Sequence, residues 1–162
     1  LRDALLPYLK KNGLASKFTD IKIVHRKQIE LPTDEVLRKS RNVIDECHIK
    51  FMGLYKQYGR KFDYRNTVYW KRFVDNGIEE SKIEEKVLGF FDLYDSIKSK
   101  GFLMHKKNPV IVADLKGIMS DDFVEKKWRY HRSNGTHRLA IAKVLGIEKI
   151  PVLQLVIALK SR

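Results

Sequence analysis

One cysteine, Cys47, is all the thiol chemistry in 162 residues. It excludes an internal disulfide framework and a zinc site built on several cysteines. No apolar run approaches the roughly 18 residues a membrane span needs, and no signal-peptide pattern opens the chain. A cytoplasmic protein without a membrane partner is therefore expected, although Leu1 in place of Met fits a trimmed or excised piece. Low-complexity tracts, internal repeats and evident linkers are missing, and the length predicts one domain over residues 1–162. Acidic residues are scarce: 20 Asp and Glu stand against 33 Lys and Arg, giving +13. Long basic runs are missing too; the cations come as pairs such as Lys10-Lys11, Arg26-Lys27, Lys106-Lys107 and Lys126-Lys127. The excess favours a polyanionic partner: DNA or RNA, a nucleotide, or an anionic membrane surface. Scattered lysines on a solvated surface are the ordinary alternative.

What is present is a globular composition, 43% hydrophobic and 33% charged, with enough apolar mass for a core. Residues 1–13 read as a helix, with Pro7 as a kink and Gly13 as the stop. Residues 21–25 read as a strand that Gln28 to Leu31 continue and Pro32 closes. Thr33 or Asp34 then caps a long helix. Leu37, Ile44, Cys47, Phe51, Leu54 and Tyr58 recur along it at helical spacing, and Gly59 ends it. Cys47 on that stripe reads as a small core hydrophobe. Residues 59–66 read as a loop, with Asn66 capping a short helix through Phe73. Ser81-Lys82-Ile83-Glu84 fits a capping box. Ile83, Val87, Phe90, Tyr94 and Ile97 then share one helical face that Gly101 closes. Strands follow at 109–113 and 128–132, around a mostly polar loop at 115–127. A helix at 136–145, stopped by Gly146, leads to a last strand at 151–159. The order predicts an α/β (α+β) domain with helices packed on a small mixed sheet.

The segment from Ser133 to Arg138 (Ser-Asn-Gly-Thr-His-Arg) lies between a strand and a helix. Gly135 permits a tight turn and close backbone approach. The helix behind it opens with free N–H groups and a positive dipole end. Thr136 adds a hydroxyl, and His137 and Arg138 add donors, so backbone, hydroxyl and guanidinium together suit a phosphate. An ordinary helix cap with a surface arginine is the alternative on spacing alone.

The stretch NGTHRLAIAKVLGIEKIPVLQLVI resembles the core of the ParB/sulfiredoxin superfamily. So does Leu93 to Phe102 followed by Pro109-Val110-Ile111-Val112. The resemblance covers about residues 87–158, with an insertion near 115–127 and a helical elaboration at about 33–86. It implies nucleotide phosphate contacts at Gly135, Thr136, His137 and Arg138, with ATP, ADP or CTP as the nucleotide and Mg²⁺ as helper. The activities it implies are CTP binding and hydrolysis, ATP- or ADP-dependent serine kinase chemistry, ATP-dependent reduction of sulfinic acid, and nuclease activity.

Two departures narrow these. The sulfinic-acid branch needs a cysteine where Thr136 stands. The kinase-like branch has an aspartate where Asn134 stands, and an amide cannot accept a proton at neutral pH. Glu30, at the end of the first strand, becomes the substitute base, alongside Asn134 and His137 as catalytic candidates; a solvated strand-end residue is the ordinary reading of Glu30. The chain ends at Arg162 directly after the last strand, so no helix-turn-helix is expected behind the core. The rival is a basic nucleic-acid-binding module, a ParB-like DNA-binding or nuclease unit, gripping backbone phosphate with the same turn. The five histidines form no HExxH or other metal spacing. Asp121-Asp122 is a metal pair through nucleotide phosphates or a helix cap. Tyr64 and Trp70 stack a base or pack in the core.

Overall fold

A computed structural model describes residues 18–37, 43–115, 130–132 and 134–161. The elements run β1 (Phe18–Pro32), α1 (Thr33–Leu37), α2 (Val43–Tyr58), α3 (Val68–Asp75), α4 (Glu80–Lys100), β2 (Ile111–Asp114), β3 (Tyr130–Arg132), α5 (Thr136–Leu145) and β4 (Lys149–Ser161). The mixed α and β class is the one the sequence predicts.

The strands form one sheet in the order β1-β4-β2-β3. β1 runs antiparallel to β4, β4 parallel to β2, and β2 antiparallel to β3. A parallel pair needs a crossover, and β3 with α5 lies in the connection from β2 to β4. Side chains alternate across a strand. Leu31, Ile150, Val152, Val110 and Val112 therefore share one face, packed with Leu139 and Ala142 of α5 and Val36 and Leu37 of α1. Ala113, Leu115, Leu155 and Ile157 are buried as well. They alternate with the first set, so the central strands are apolar on both faces, as strands buried on two sides are.

The second core is aromatic and lies between helices. It joins Phe51, Met52 and Tyr55 of α2, Tyr69 and Trp70 of α3, the buried face of α4, and Ala140 and Ile141 of α5. Phe51 stacks on Tyr69 at 4.2 Å between centroids, and Tyr55 on Phe91 at 4.1 Å. Helix α5 thus has one side in each core. Its far end is closed by Gly146, whose left-handed backbone (φ 74°) lets its N–H reach the carbonyls of Ala142 and Lys143. The side chain of buried Thr33 donates to the Ile147 carbonyl just beyond.

Several local expectations are corrected. The stripe on α2 is rotated: Cys47, His48, Phe51, Met52 and Tyr55 are buried, while Leu54 and Tyr58 are exposed. Thr67, not Asn66, caps α3, accepting from the Trp70 N–H. The Asn66 amide instead donates to Asp63. Helix α4 begins at Glu80, before the expected capping box, and the Ser81 hydroxyl bonds the Glu79 side chain. Residues 59–66 hold two 3-10 turns, Gly59–Lys61 and Tyr64–Asn66. The first strand ends at Pro32 as expected but begins earlier, at Phe18, because β4 pairs with it from Phe18 to Pro32. The helix expected at 1–13 and most of the loop at 115–127 lie outside the described residues.

Phe51 is 1% exposed, and its ring stacks with those of Tyr69, Phe90 and Phe91 and meets Phe62 edge-on. Replacing a ring so placed leaves a cavity, and Phe51→Ala should cost about 3–5 kcal/mol, read as the fall in unfolding free energy in urea.

Candidate functional site

The turn from β3 into α5 is anchored by Asn134. Its Oδ1 accepts from the Ile111 N–H at 2.9 Å. Its Nδ2 donates to the Pro109 carbonyl at 2.8 Å and to Asn108 Oδ1 at 3.0 Å. Acceptor and both donors are committed to the segment leading into β2. Asn134 is therefore a staple between the turn and the neighbouring strand.

Gly135 follows with φ 91°, a left-handed conformation. A Cβ here would lie 2.9 Å from Val110 Cγ2. Backbone conformation and space both require glycine, and the turn sits directly against the sheet. Gly135 is also the N-cap of α5, so it supplies no side-chain cap to the first N–H groups of the helix. Those groups carry the positive end of the helix dipole.

Arg138 occupies the third position of that first turn. It is partly buried, and its Nη2 is shielded from solvent with no hydrogen-bond partner among the described residues. Burial pushes its guanidinium below the ordinary arginine value. A shielded, unsatisfied guanidinium N–H is costly, and an anion removes that cost. Thr136 is half-buried beside it, and Arg132, the last residue of β3, brings another guanidinium to the same end of the sheet.

His137 turns the other way, into the aromatic layer. Its ring lies 4.5 Å from Phe90 and 4.7 Å from His48, and Nε2 is 3.3 Å from the Tyr69 hydroxyl. Part of the residue stays open to solvent, so the desolvation is that of the enclosed ring faces. That desolvation, then the nearby His48 and Lys86, lowers its pKa to about 4. His137 is neutral at physiological pH and acts as a packed donor or acceptor rather than as a cation on an anion.

Glu30 is not brought to the turn. It pairs with Pro151 on β1, at the sheet edge opposite β3. Leu31 next to it faces α5, so alternation puts Glu30 on the other face. Tyr64 and Trp70 pack on each other and on the core, at 5.6 Å between centroids. Cys47 is buried, and burial raises its thiol pKa. Asp121-Asp122 lies outside the described residues. Among the described residues no group of three or more His, Cys, Asp or Glu is placed to hold a metal ion, and no helix is long and apolar enough to cross a membrane. Asn108, His48, Tyr69 and Phe90 are the partners that sequence reasoning missed. They lie far along the chain from the turn, and no local spacing signals them.

Comparison with protein-family models, with curated proteins and with solved structures finds no match to this chain.

Two outcomes test this geometry. Asn134→Asp sets a carboxylate oxygen against the Pro109 carbonyl and Asn108 Oδ1. It should lose about 2–3 kcal/mol of stability, and an unchanged urea midpoint would contradict the staple. For His137, the unfolded chain takes up a proton near pH 6.5, whereas the folded ring resists until about pH 4. Protonation between those values favours the unfolded state, so stability is full above that window and falls as pH drops through it. The fall between pH 7 and 5 should be smaller in His137→Gln, followed by urea denaturation.

Proposed function

We propose that this chain is a ParB/sulfiredoxin-like domain that binds a nucleoside di- or triphosphate, its phosphates on the first turn of α5 and Mg²⁺ as their counter-ion. The observation that carries this reading is the shielded Nη2 of Arg138, without a partner among the described residues, on a helix start with no side-chain cap. A phosphate supplies acceptors to the guanidinium and to the open backbone N–H groups at once. Close contact of Gly135 with Val110 fixes where that start lies. Thr136 adds a hydroxyl at the same place.

Binding is the role these side chains support directly. Phosphotransfer or hydrolysis also needs a proton acceptor. Asn134 is an amide committed to the backbone, His137 is a weak base in the aromatic layer, and Glu30 faces away. A base for turnover therefore comes from outside that set.

The second reading, a nucleic-acid module, has its own support. Lys22, Arg26 and Lys27 are exposed along β1. No acid occurs in residues 21–29 or in the paired residues 152–159.

The deciding experiment is thermal unfolding with ATP, ADP, CTP and GTP, each with and without Mg²⁺, for the wild type and Arg138→Gln. A ligand at about 100 times its Kd adds about 2.7 kcal/mol of stability. One nucleotide should raise the midpoint, and Arg138→Gln should weaken that nucleotide at least tenfold. No shift with any nucleotide, together with duplex binding that falls steeply with salt, would replace this reading with the second.

A further inference from the structure

Gly89 stands within the 21-residue helix α4 without a packing reason. Glycine is disfavoured inside helices and is commonly kept where a Cβ would clash. Here a Cβ would meet nothing within 4 Å. Gly89 instead lines a cleft of about 280 Å³ between α3 and α4, at the start of α5. Tyr69, Phe73, Phe90 and His137 bring rings to its walls, and exposed Lys86 stands at its edge.

The walls define what fits. Aromatic rings receive a flat π-system by stacking. His137 Nε2 and the Tyr69 hydroxyl, already within reach of each other, offer polar atoms to the edge of such a ring. A cationic Lys86 favours an electron-rich ligand or one continuing into phosphate. His137 is also the residue between Thr136 and Arg138, so the cleft opens beside the first turn of α5. A concave, largely apolar space with a few polar groups is the usual form of a small-molecule site.

We propose that this cleft holds the base of the nucleotide, with the chain of phosphates running from it onto the first turn of α5. The inference rests on the nucleotide reading above. It adds the half of the site that selects the ligand, and it makes Gly89 a specificity position, kept small so that the ring can enter.

The test uses the whole chain and three kinds of probe: ATP and CTP, the free nucleosides adenosine and cytidine, and inorganic tripolyphosphate. Calorimetric titration is made on the wild type, Gly89→Leu and Gly89→Ala. Both variants replace glycine with a strong helix former, so their thermal midpoints should stay level or rise. The leucine should weaken the bound nucleotide and nucleoside at least tenfold and leave tripolyphosphate within twofold. The alanine should give a smaller loss in the same direction and serves where the leucine does not fold. Nucleotide binding by a folded Gly89→Leu at wild-type strength overturns the cleft and leaves the phosphate reading standing. Nucleoside binding that is lost in Gly89→Leu, with no tripolyphosphate binding by the wild type, keeps the cleft and overturns the phosphate reading. Binding of none of the probes to the wild type overturns both.

Discussion

Everything in this molecule is referred to helix α5, because it is buried from two sides at once. Leu139 and Ala142 enter the core against the sheet, while Ala140 and Ile141 enter the aromatic core of α2, α3 and α4. A ten-residue helix has little stability of its own, so these contacts decide where it lies. Its C-terminal end is held as well. Lys56 donates to the Val144 carbonyl at 2.8 Å, and Thr33 meets the chain beyond Gly146 through its hydroxyl and its N–H. With both faces and one end fixed, the open N-terminal turn has one position. The Lys143–Asp34 ion pair, at the held C-terminal end, is exposed and adds little.

The elements themselves were largely legible in the sequence. The apolar face of α4 is the one that Ile83, Val87, Phe90, Tyr94 and Ile97 spell out, and all five are buried. The α5 boundaries follow from Gly135 and Gly146, since both occupy left-handed backbone positions where glycine is favoured. On α2 the pattern misleads. Leu54 and Tyr58 fit the helical spacing as well as Met52 and Tyr55 do, and only the neighbouring helices decide which face is covered. The cap of α3 shows the same limit. Asn66 and Thr67 are both good caps, and the choice falls to Thr67 because Asn66 finds Asp63.

For the candidate site, the sequence singled out the stretch from Asn134 to Arg138 but not the separate surroundings its residues meet. Gly135, Thr136, His137 and Arg138 read as one phosphate-binding set with Asn134 ahead of it; in the fold these residues face different surroundings. Asn134 serves the sheet, Gly135 sits against Val110, His137 serves the helical layer, and Arg138 has a donor with no acceptor among the described residues. Successive residues on a helix point about 100° apart, so two layers packed on α5 necessarily divide them. The partners come from Asn108, His48 and Tyr69, and periodicity within 133–138 carries no trace of them. Glu30 fails for the matching reason in a strand, where one step along the chain changes the face.

The place of β4 in the sheet has a consequence for how the chain assembles. β1 and β2 each find β4 as a neighbour, and Thr33 reaches its carbonyl partner across 114 residues of sequence. A polypeptide emerging from the ribosome carries β1 through all the intervening elements before β4 exists to pair with it. The local helical contacts of α2, α3 and α4 need no such wait. Helical layer first and sheet last is then the order that topology imposes. During that interval the unpaired edge of β1 is the surface most open to unintended strand pairing, and its Lys22, Arg26 and Lys27 are the kind of residue that discourages it.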